Sequence, residues 1–351
     1  MRPRYITLVR LALLVAVLSV FCGCRPQTAT TTPALPTVKV GIAPYQDMAL
    51  LMNVAPLGLD KKEGIRLELL SMVWQDLTPA VASATPSVDV VFASLTQFVS
   101  QEHALNEGSS DPIVFFYPAY VFKGGAFVSF NKNVPALTRA DLADQNRIKR
   151  FLRFRFAAQK TSSYEMLLSE LGRRGGLTLK EIKLTDMGAE DGLLAAENGS
   201  VDATSAGLTQ KNEALNKGGH VVLEMADMGQ VDIAGFIAKR STLEKRRKEI
   251  AAFLKVWPEA CAYTLTDIPN HSKYPLDYLR QKSSTQYTVE QFTKALSEEY
   301  LPVSIGDLWS KVVAPTAEFD YRHVVETTVA YYLQTGQLKE PPKNIDILDV
   351  K

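Results

Sequence analysis

The sequence predicts an α/β protein with parallel sheets and a helical C-terminal section. Three observations carry that expectation. Short apolar or alternating runs trade places with helix-period segments through the first two thirds of the chain. One phrase occurs twice, SVDVVFASLTQ at 87–97 and SVDATSAGLTQ at 200–210. From about Thr242 the strand signals stop, and long helical patterns over 242–266, 289–299 and 323–334 run to the end.

Taken in order, Val38 to Ile42 reads as a short strand and Met48 to Val54 as helix. Ile65, Leu67 and Leu69 alternate with Arg66 and Glu68, the period of a half-buried strand. Val88 to Phe92 is apolar but for Asp89, as suits a parallel strand covered on both faces. Ile113 to Phe116, Ala126 to Phe130, Phe154 to Ala158, Ile182 to Leu184, Val201 to Ser205 and Val221 to Glu224 are further strands. Helices lie between them, Ser163 to Leu171 among them.

The repeated phrase places the same device in two βαβ units. A strand runs into a loop, and Thr96 or Thr209 stands near the start of the next helix. Helix starts present unpaired N–H groups and a positive dipole end. Ligands of open parallel sheets bind beyond the carboxyl ends of the strands. Two lobes facing each other would line a cleft from both sides. Each threonine either caps its helix or meets a ligand, and the residues alone leave both open.

The N-terminus has its own signature. Arg2, Arg4 and Arg10 precede an uncharged apolar run from Leu11 to Phe21. That run falls short of the roughly 20 residues a membrane-spanning helix needs and fits a signal-peptide core. Phe21-Cys22-Gly23-Cys24 resembles a bacterial lipobox, with Gly23 before the cleavage and Cys24 as the lipidated residue. The expected organisation is a signal peptide over 1–23 and a Thr- and Pro-rich tether over 24–37. The protein would then be held at the cell membrane by lipid, facing periplasm or exterior. Cys261 is left without a cysteine partner and is expected to pack as a small apolar side chain. With 39 Lys and Arg against 38 Asp and Glu, there is no field to draw in nucleic acid.

VKVGIAPYQDMALLMNVAPLGLDKKEGIRLEL, carried by Lys61, Glu63, Gly64, Ile65, Leu67 and Glu68, resembles the opening of the periplasmic binding proteins for nitrate, sulfonates, taurine and thiamine precursors. LLAAENGSVDA at 193–203 and the helix after Thr242 resemble later elements of that family. The sequence departs from it at Ser87, where a glycine is usual, and in AGLTQKNEA, which lacks the usual proline. The resemblance implies a type II periplasmic-binding fold. Lobe one would comprise 38–123 and 237–351, and lobe two 124–236. Crossings near Phe122–Phe127 and Asp232–Phe236 would form the hinge, with Gly124, Gly125 and Gly235 in them. It also implies a monomer that hands a small molecule (an organic acid, a sulfonate or a heterocyclic precursor) to the permease of an ABC importer.

No H-E-x-x-H, P-loop, G-x-G-x-x-G or G-x-S-x-G stands in the sequence, so no metal, cofactor or catalytic residue is expected. The candidate ligand residues are Tyr45, Gln46 and Asp47 in the first loop, Trp74 after the second strand, and Ser94, Thr96 and Ser205 around the repeated phrase. Tyr120 lies near the hinge, and Thr161, Ser162 and Ser163 open a helix as caps or as donors to an anion or carbonyl. Two other functions remain open: an enzyme of cofactor biosynthesis on the same fold, and a ligand-sensing lipoprotein for a partner that is not a transporter.

Overall fold

Residues 34–283 and 286–349 are described by the computed structural model. The expected signal peptide, Cys24 and most of the tether lie outside them; Thr37, the tether's last residue, already opens the first strand. Eleven strands follow among the described residues: β1 (Thr37–Ile42), β2 (Arg66–Ser71), β3 (Val90–Ser94), β4 (Ile113–Phe122), β5 (Ala126–Ser129), β6 (Arg155–Ala158), β7 (Lys183–Asp186), β8 (Ala203–Ala206), β9 (His220–Glu224), β10 (Asp232–Lys239) and β11 (Glu299–Tyr300). The helices of nine residues or more are α1 (Trp74–Ala82), α2 (Leu95–Asn106), α3 (Ser163–Arg174), α4 (Ala189–Glu197), α5 (Leu208–Asn216), α6 (Arg247–Thr266), α7 (Lys273–Lys282), α8 (Val289–Ser297) and α9 (Tyr321–Thr335).

The strands form two sheets, ordered β11-β4-β10-β3-β1-β2 and β7-β6-β8-β5-β9. Each is the sheet of one lobe. β1 runs parallel to β2 and β3, and β6 runs parallel to β7 and β8. In each sheet the first strand after a crossing enters antiparallel, β5 beside β8 and β10 beside β3. The two lobes therefore share one plan, and the repeated phrase marks its third strand in both. The likeness reaches individual bonds. Asp89 N–H donates to the Lys39 carbonyl, and the Asp89 carboxylate accepts from Lys39 N–H at 2.8 Å. Asp202 does the same to Arg155, also with a 2.8 Å carboxylate bond.

The first lobe's core joins both faces of its sheet to the C-terminal helices. Phe92 and Phe236 lie 4.6 Å apart, with Trp257 of α6 edge-on to Phe92 at 5.3 Å. The buried Trp257 indole donates to the Ala119 carbonyl at 2.8 Å, which meets the polar demand of a residue otherwise sunk in carbon. Cys261, one turn further along α6, is fully buried and free, as expected. Phe127, Phe151 and Phe156 centre the second lobe's core. The outer edge of β4 is covered at one end by β11 and at the other by residues 344–348, which bond to Phe115 and Phe116. An exposed edge strand would otherwise invite pairing with another chain.

Several elements differ from expectation. β4 extends well past Phe116, because the second half of its apolar run is buried on both faces. Met48–Asn53 is a 3-10 helix before the short α-turn Val54–Leu57. The expected helix over 242–266 is broken at Arg246 into Arg240–Lys245 and α6. The chain leaves the first sheet after Phe122 and returns at Asp232, so the second crossing is 225–231 and not Asp232–Phe236. Gly235 lies inside β10, where a Cβ would stand 2.1 Å from Phe115 Cζ and 2.5 Å from the Tyr117 carbonyl oxygen. That glycine serves close packing. Gly124 and Gly125 do fall in the first crossing.

Candidate functional site

Every strand exit that faces the other lobe sends residues into one cavity. From lobe one, the loop after β1 supplies Tyr45, Gln46 and Asp47, and the start of α1 supplies Trp74 and Gln75. The β3–α2 junction adds Ser94 and Gln97, β4 adds Tyr120 and Phe122, and β10 adds Asp232 and Ala234. From lobe two come Gln159, the α3 start with Ser162, Ser163 and Tyr164, and the α4 start with Ala189 and Glu190. Ser205 of β8 and the α5 start, Gly207 to Gln210, complete the wall. The cavity they enclose measures about 120 Å³. That is the scale of a small organic molecule, a cavity of about 150 Å³ being enough for benzene.

One wall is aromatic. Tyr45 and Trp74 stack with ring centroids 5.9 Å apart and planes 27° from parallel. The Trp74 indole donates to Gln97 Oε1 at 3.3 Å, which fixes the ring's orientation. Phe122, Leu208, Ala189 and Ala234 add further apolar surface, and the charge of the lining is entirely negative: Asp47, Glu190 and Asp232 line it, with no lysine, arginine or histidine.

Each acid is held by neutral donors. Glu190 Oε1 accepts from Tyr45 Oη at 2.9 Å and Gln210 Nε2 at 3.0 Å, and Oε2 accepts from Gln75 Nε2 at 3.4 Å. Asp232 accepts from Ser94 Oγ at 2.6 Å, Ile233 N at 2.8 Å and Thr96 N at 3.3 Å. Burial raises its carboxyl above the usual range in spite of those donors. Asp47 accepts from Met48 N at 2.5 Å and Gln46 Nε2 at 3.1 Å. Behind it, Gln46 Nε2 also donates to Glu299 Oε1 at 3.0 Å, and Glu299 Oε2 finds no donor. Asp47 and Glu299 are within hydrogen-bonding reach of each other, which two acceptors can use only if one carries a proton. Burial is the first cause holding Asp47 up at about 6 and Glu299 well above its ordinary value.

The lobes also touch directly across the cavity. Besides the Tyr45–Glu190 bond, Thr209 Oγ1 donates to Gln46 Oε1 at 2.9 Å and accepts from Tyr287 Oη at 3.1 Å. Ser100 Oγ donates to the Thr161 carbonyl at 3.1 Å. Lys211 pairs with Glu298.

Of the residues expected from sequence, the structure brings Tyr45, Gln46, Asp47, Trp74, Ser94, Tyr120, Ser162, Ser163 and Ser205 to the cavity. It leaves out Thr96 and Thr161. Thr96 is buried beneath the α2 start, where its N–H meets Asp232. Thr161 turns away with φ 57°, its hydroxyl donating to the Lys160 carbonyl and accepting from Gln101 Nε2. Ser162 does cap α3, its Oγ accepting from Glu165 N at 3.4 Å. Sequence reasoning missed Gln75, Gln97, Gln159, Tyr164, Glu190, Gln210 and Asp232, and left Thr209 open between cap and ligand contact; it lies in the wall. Gln97 and Gln210 were visible as the last letter of the repeated phrase. Glu190 sits after β7 as Gln75 sits after β2, so the same internal symmetry points to it.

The sequence model of the NMT1-like family matches residues 31–274. No curated protein matches the chain. Among solved structures, the periplasmic aliphatic sulphonate binding protein SsuA from Escherichia coli is similar, with 18% identity and TM-score 0.60 over 89% of this chain and 90% of that one. The alkanesulfonate-binding protein SsuA from Xanthomonas axonopodis pv. citri, bound to MOPS, gives 14% identity and TM-score 0.62 over 88% and 96%. The periplasmic nitrate-binding protein NrtA from Synechocystis PCC 6803 gives 15% and 0.64 over 87% and 82%. These likenesses show the fold, that of periplasmic binding proteins, as the sequence resemblance implied. With more than half of its length matched by that family's model, the chain belongs to the NMT1-like family.

Proposed function

We propose that the protein is an extracytoplasmic solute-binding receptor that captures a small organic molecule between its lobes and delivers it to an ABC importer. One observation carries the reading. Lobe two presents side chains to the shared cavity for which no hydrogen bond is found among the described residues: the Ser163 and Ser205 hydroxyls and the Gln159 amide. Facing a stacked aromatic wall, these are the few placed polar groups of a binding pocket. The solved structures named above, described as binding components for sulfonates and nitrate, support the same role.

The wider arrangement follows from this reading. Lobe two swings on the crossings at 123–125 and 225–231. Among the described residues no helix is long and apolar enough to cross a membrane. Attachment through lipid on Cys24 would keep a monomeric receptor beside its permease. The molecule is returned unchanged, so capture and not conversion is the activity.

The test is a thermal-shift screen of the full chain against nitrate, alkylsulfonates, carboxylates, and pyrimidine and flavin precursors. A ligand at 100 times its Kd stabilises by about 2.7 kcal/mol. A hit that disappears in Trp74→Ala and is recovered intact after release supports the reading. A converted product that depends on the protein refutes it.

A further inference from the structure

The cavity has the charge of a site for cations, although its fold is shared with proteins described as sulfonate and nitrate binders. Helix starts converge on it, and such starts ordinarily favour anions. At three of them, the starts of α2, α3 and α4, the chain has placed its own acids. Asp232 takes the Thr96 N–H and the Ser94 hydroxyl at the start of α2. Glu165 accepts from Thr161 N at 2.7 Å at the start of α3, beside the Ser162 cap. Glu190 and Asp191 occupy the first turn of α4. An anionic ligand would meet a carboxylate beside each of these three starts.

The acids have no counter-charge of their own. Asp47, Glu190, Asp232 and Glu299 appear in none of the ion pairs among the described residues. Their bonds come from tyrosine, serine, glutamine and backbone, which solvate a carboxylate without neutralising it. A buried charge held in this way gains from a partner of opposite sign. Glu190 is the one placed to receive it. Its Oε1 already has two donors, while Oε2 has only the long bond from Gln75. It stands beside Tyr45, whose ring stacks on Trp74. Aromatic faces attract cations as well as flat apolar bodies.

We propose that the cleft selects an organic cation, an ammonium or amidinium group paired with the Glu190 carboxylate while its flat apolar body lies against Tyr45 and Trp74. This rests on the receptor reading and narrows it: of the ligands that the sequence leaves open, sulfonates, nitrate and simple organic acids drop out.

The experiment compares probes of one shape and three charges on the full chain at neutral pH. Benzylammonium and benzamidinium are set against benzyl alcohol, and against benzoate, benzenesulfonate and nitrate, by calorimetry and melting temperature. The cations are expected to bind at least tenfold more tightly than the alcohol, and the anions not at all. Glu190→Gln keeps the shape and should cost the cations tenfold or more while leaving the alcohol unchanged. Gln159→Lys places a fixed ammonium in the wall and should abolish cation binding without touching the Glu190 contacts. An anion that binds more tightly than its cationic counterpart, with binding lost in Trp74→Ala, overturns the charge class and leaves the receptor standing. Cation affinity indifferent to both Glu190→Gln and Gln159→Lys also overturns it. If no probe of any charge binds, the proposal falls, and the receptor reading is decided by the wider thermal-shift screen.

Discussion

Asp47→Asn should stabilise the unliganded protein at alkaline pH and leave it nearly unchanged in acid. Asp47 is 2% exposed, and its carboxyl is raised from 3.8 to about 6, first by burial. Below pH 3.8 it is protonated in both folded and unfolded chains and costs nothing. Between the two values the unfolded chain gives up its proton and the native one does not, so stability falls as pH rises. Above the native value the full penalty persists. A shift of about 2 units at about 1.4 kcal/mol each is about 3 kcal/mol, an upper figure because Glu299 shares the proton. Glu299 moves in the same direction and widens the window upward. Asparagine matches protonated aspartate in shape, accepts from Met48 N, and offers Glu299 an N–H in place of the shared proton. The expected gain is about 1–3 kcal/mol at pH 8 and within about 0.5 kcal/mol of zero at pH 4. Urea denaturation of parent and variant at pH 4, 6 and 8 measures it, groups common to both cancelling in the difference. An effect of equal size at all three pH values would show that the pair does not titrate in this window, and would refute the reasoning.

Other perturbations separate structural from binding roles. Asp202 runs the opposite way: Arg155 holds its carboxyl down at about 2, so it stabilises above its unfolded value and that contribution is lost as pH falls through the native one. Asp202→Asn should therefore cost about 1 kcal/mol at pH 7 after solvent screening of the half-exposed arginine, and less at pH 3, read from denaturation midpoints. Gly235→Ala drives a methyl into Phe115 and the Tyr117 carbonyl, and should cost about 1–3 kcal/mol in the same assay; no loss would mean that β10 relaxes freely. Ser162→Ala should cost about 1 kcal/mol of stability as a lost cap with affinity retained, whereas Ser163→Ala should melt as the parent does and bind more weakly. Cys24→Ala should abolish metabolic lipid labelling, and label that persists there but vanishes in Cys22→Ala would move the cleavage site.

What could be read from sequence followed from periodicity, and what could not followed from packing across distance. Val88–Phe92 and Phe154–Ala158 announced strands because burial on both faces leaves a run apolar but for one residue, Asp89 or Arg155. The repeated phrase located the third strand of each lobe because one geometry demanded one spelling, Asp89 and Asp202 included. The second crossing was misplaced because Gly235 reads as a flexible joint, and only the Phe115 ring beside it shows a packing requirement. Thr161 and Ser163 were indistinguishable as hydroxyls at a helix start; one turns to Gln101 and the other to the cavity. Glu190 escaped notice because its chemistry is assembled from three segments, with Tyr45 lying 145 residues away. Charge at a cleft is a sum over strand exits, and no single exit carries its sign.

That sum also bears on why the lobes should need a ligand to stay together. The bonds that cross the cavity between neutral groups, Thr209 to Gln46 and Ser100 to Thr161, exchange water for protein and net about 0.5–1.5 kcal/mol each. Against them stands the cost of carrying Asp47, Glu190 and Asp232 into a shared enclosure without a cation. Terms of opposite sign thus meet in the closed arrangement, which also carries the Tyr45–Glu190 and Lys211–Glu298 contacts. A ligand shifts such a balance only by what it binds better in one state than in the other. One that touches Tyr45 and Trp74 on the first lobe and Glu190 and Ser163 on the second can make both sets of contacts only when the lobes meet. If it is also a cation, it offsets that charge cost. Receptor action and charge selectivity would then rest on the same residues, and Glu190→Gln should weaken cation capture and, with no ligand present, favour the closed form.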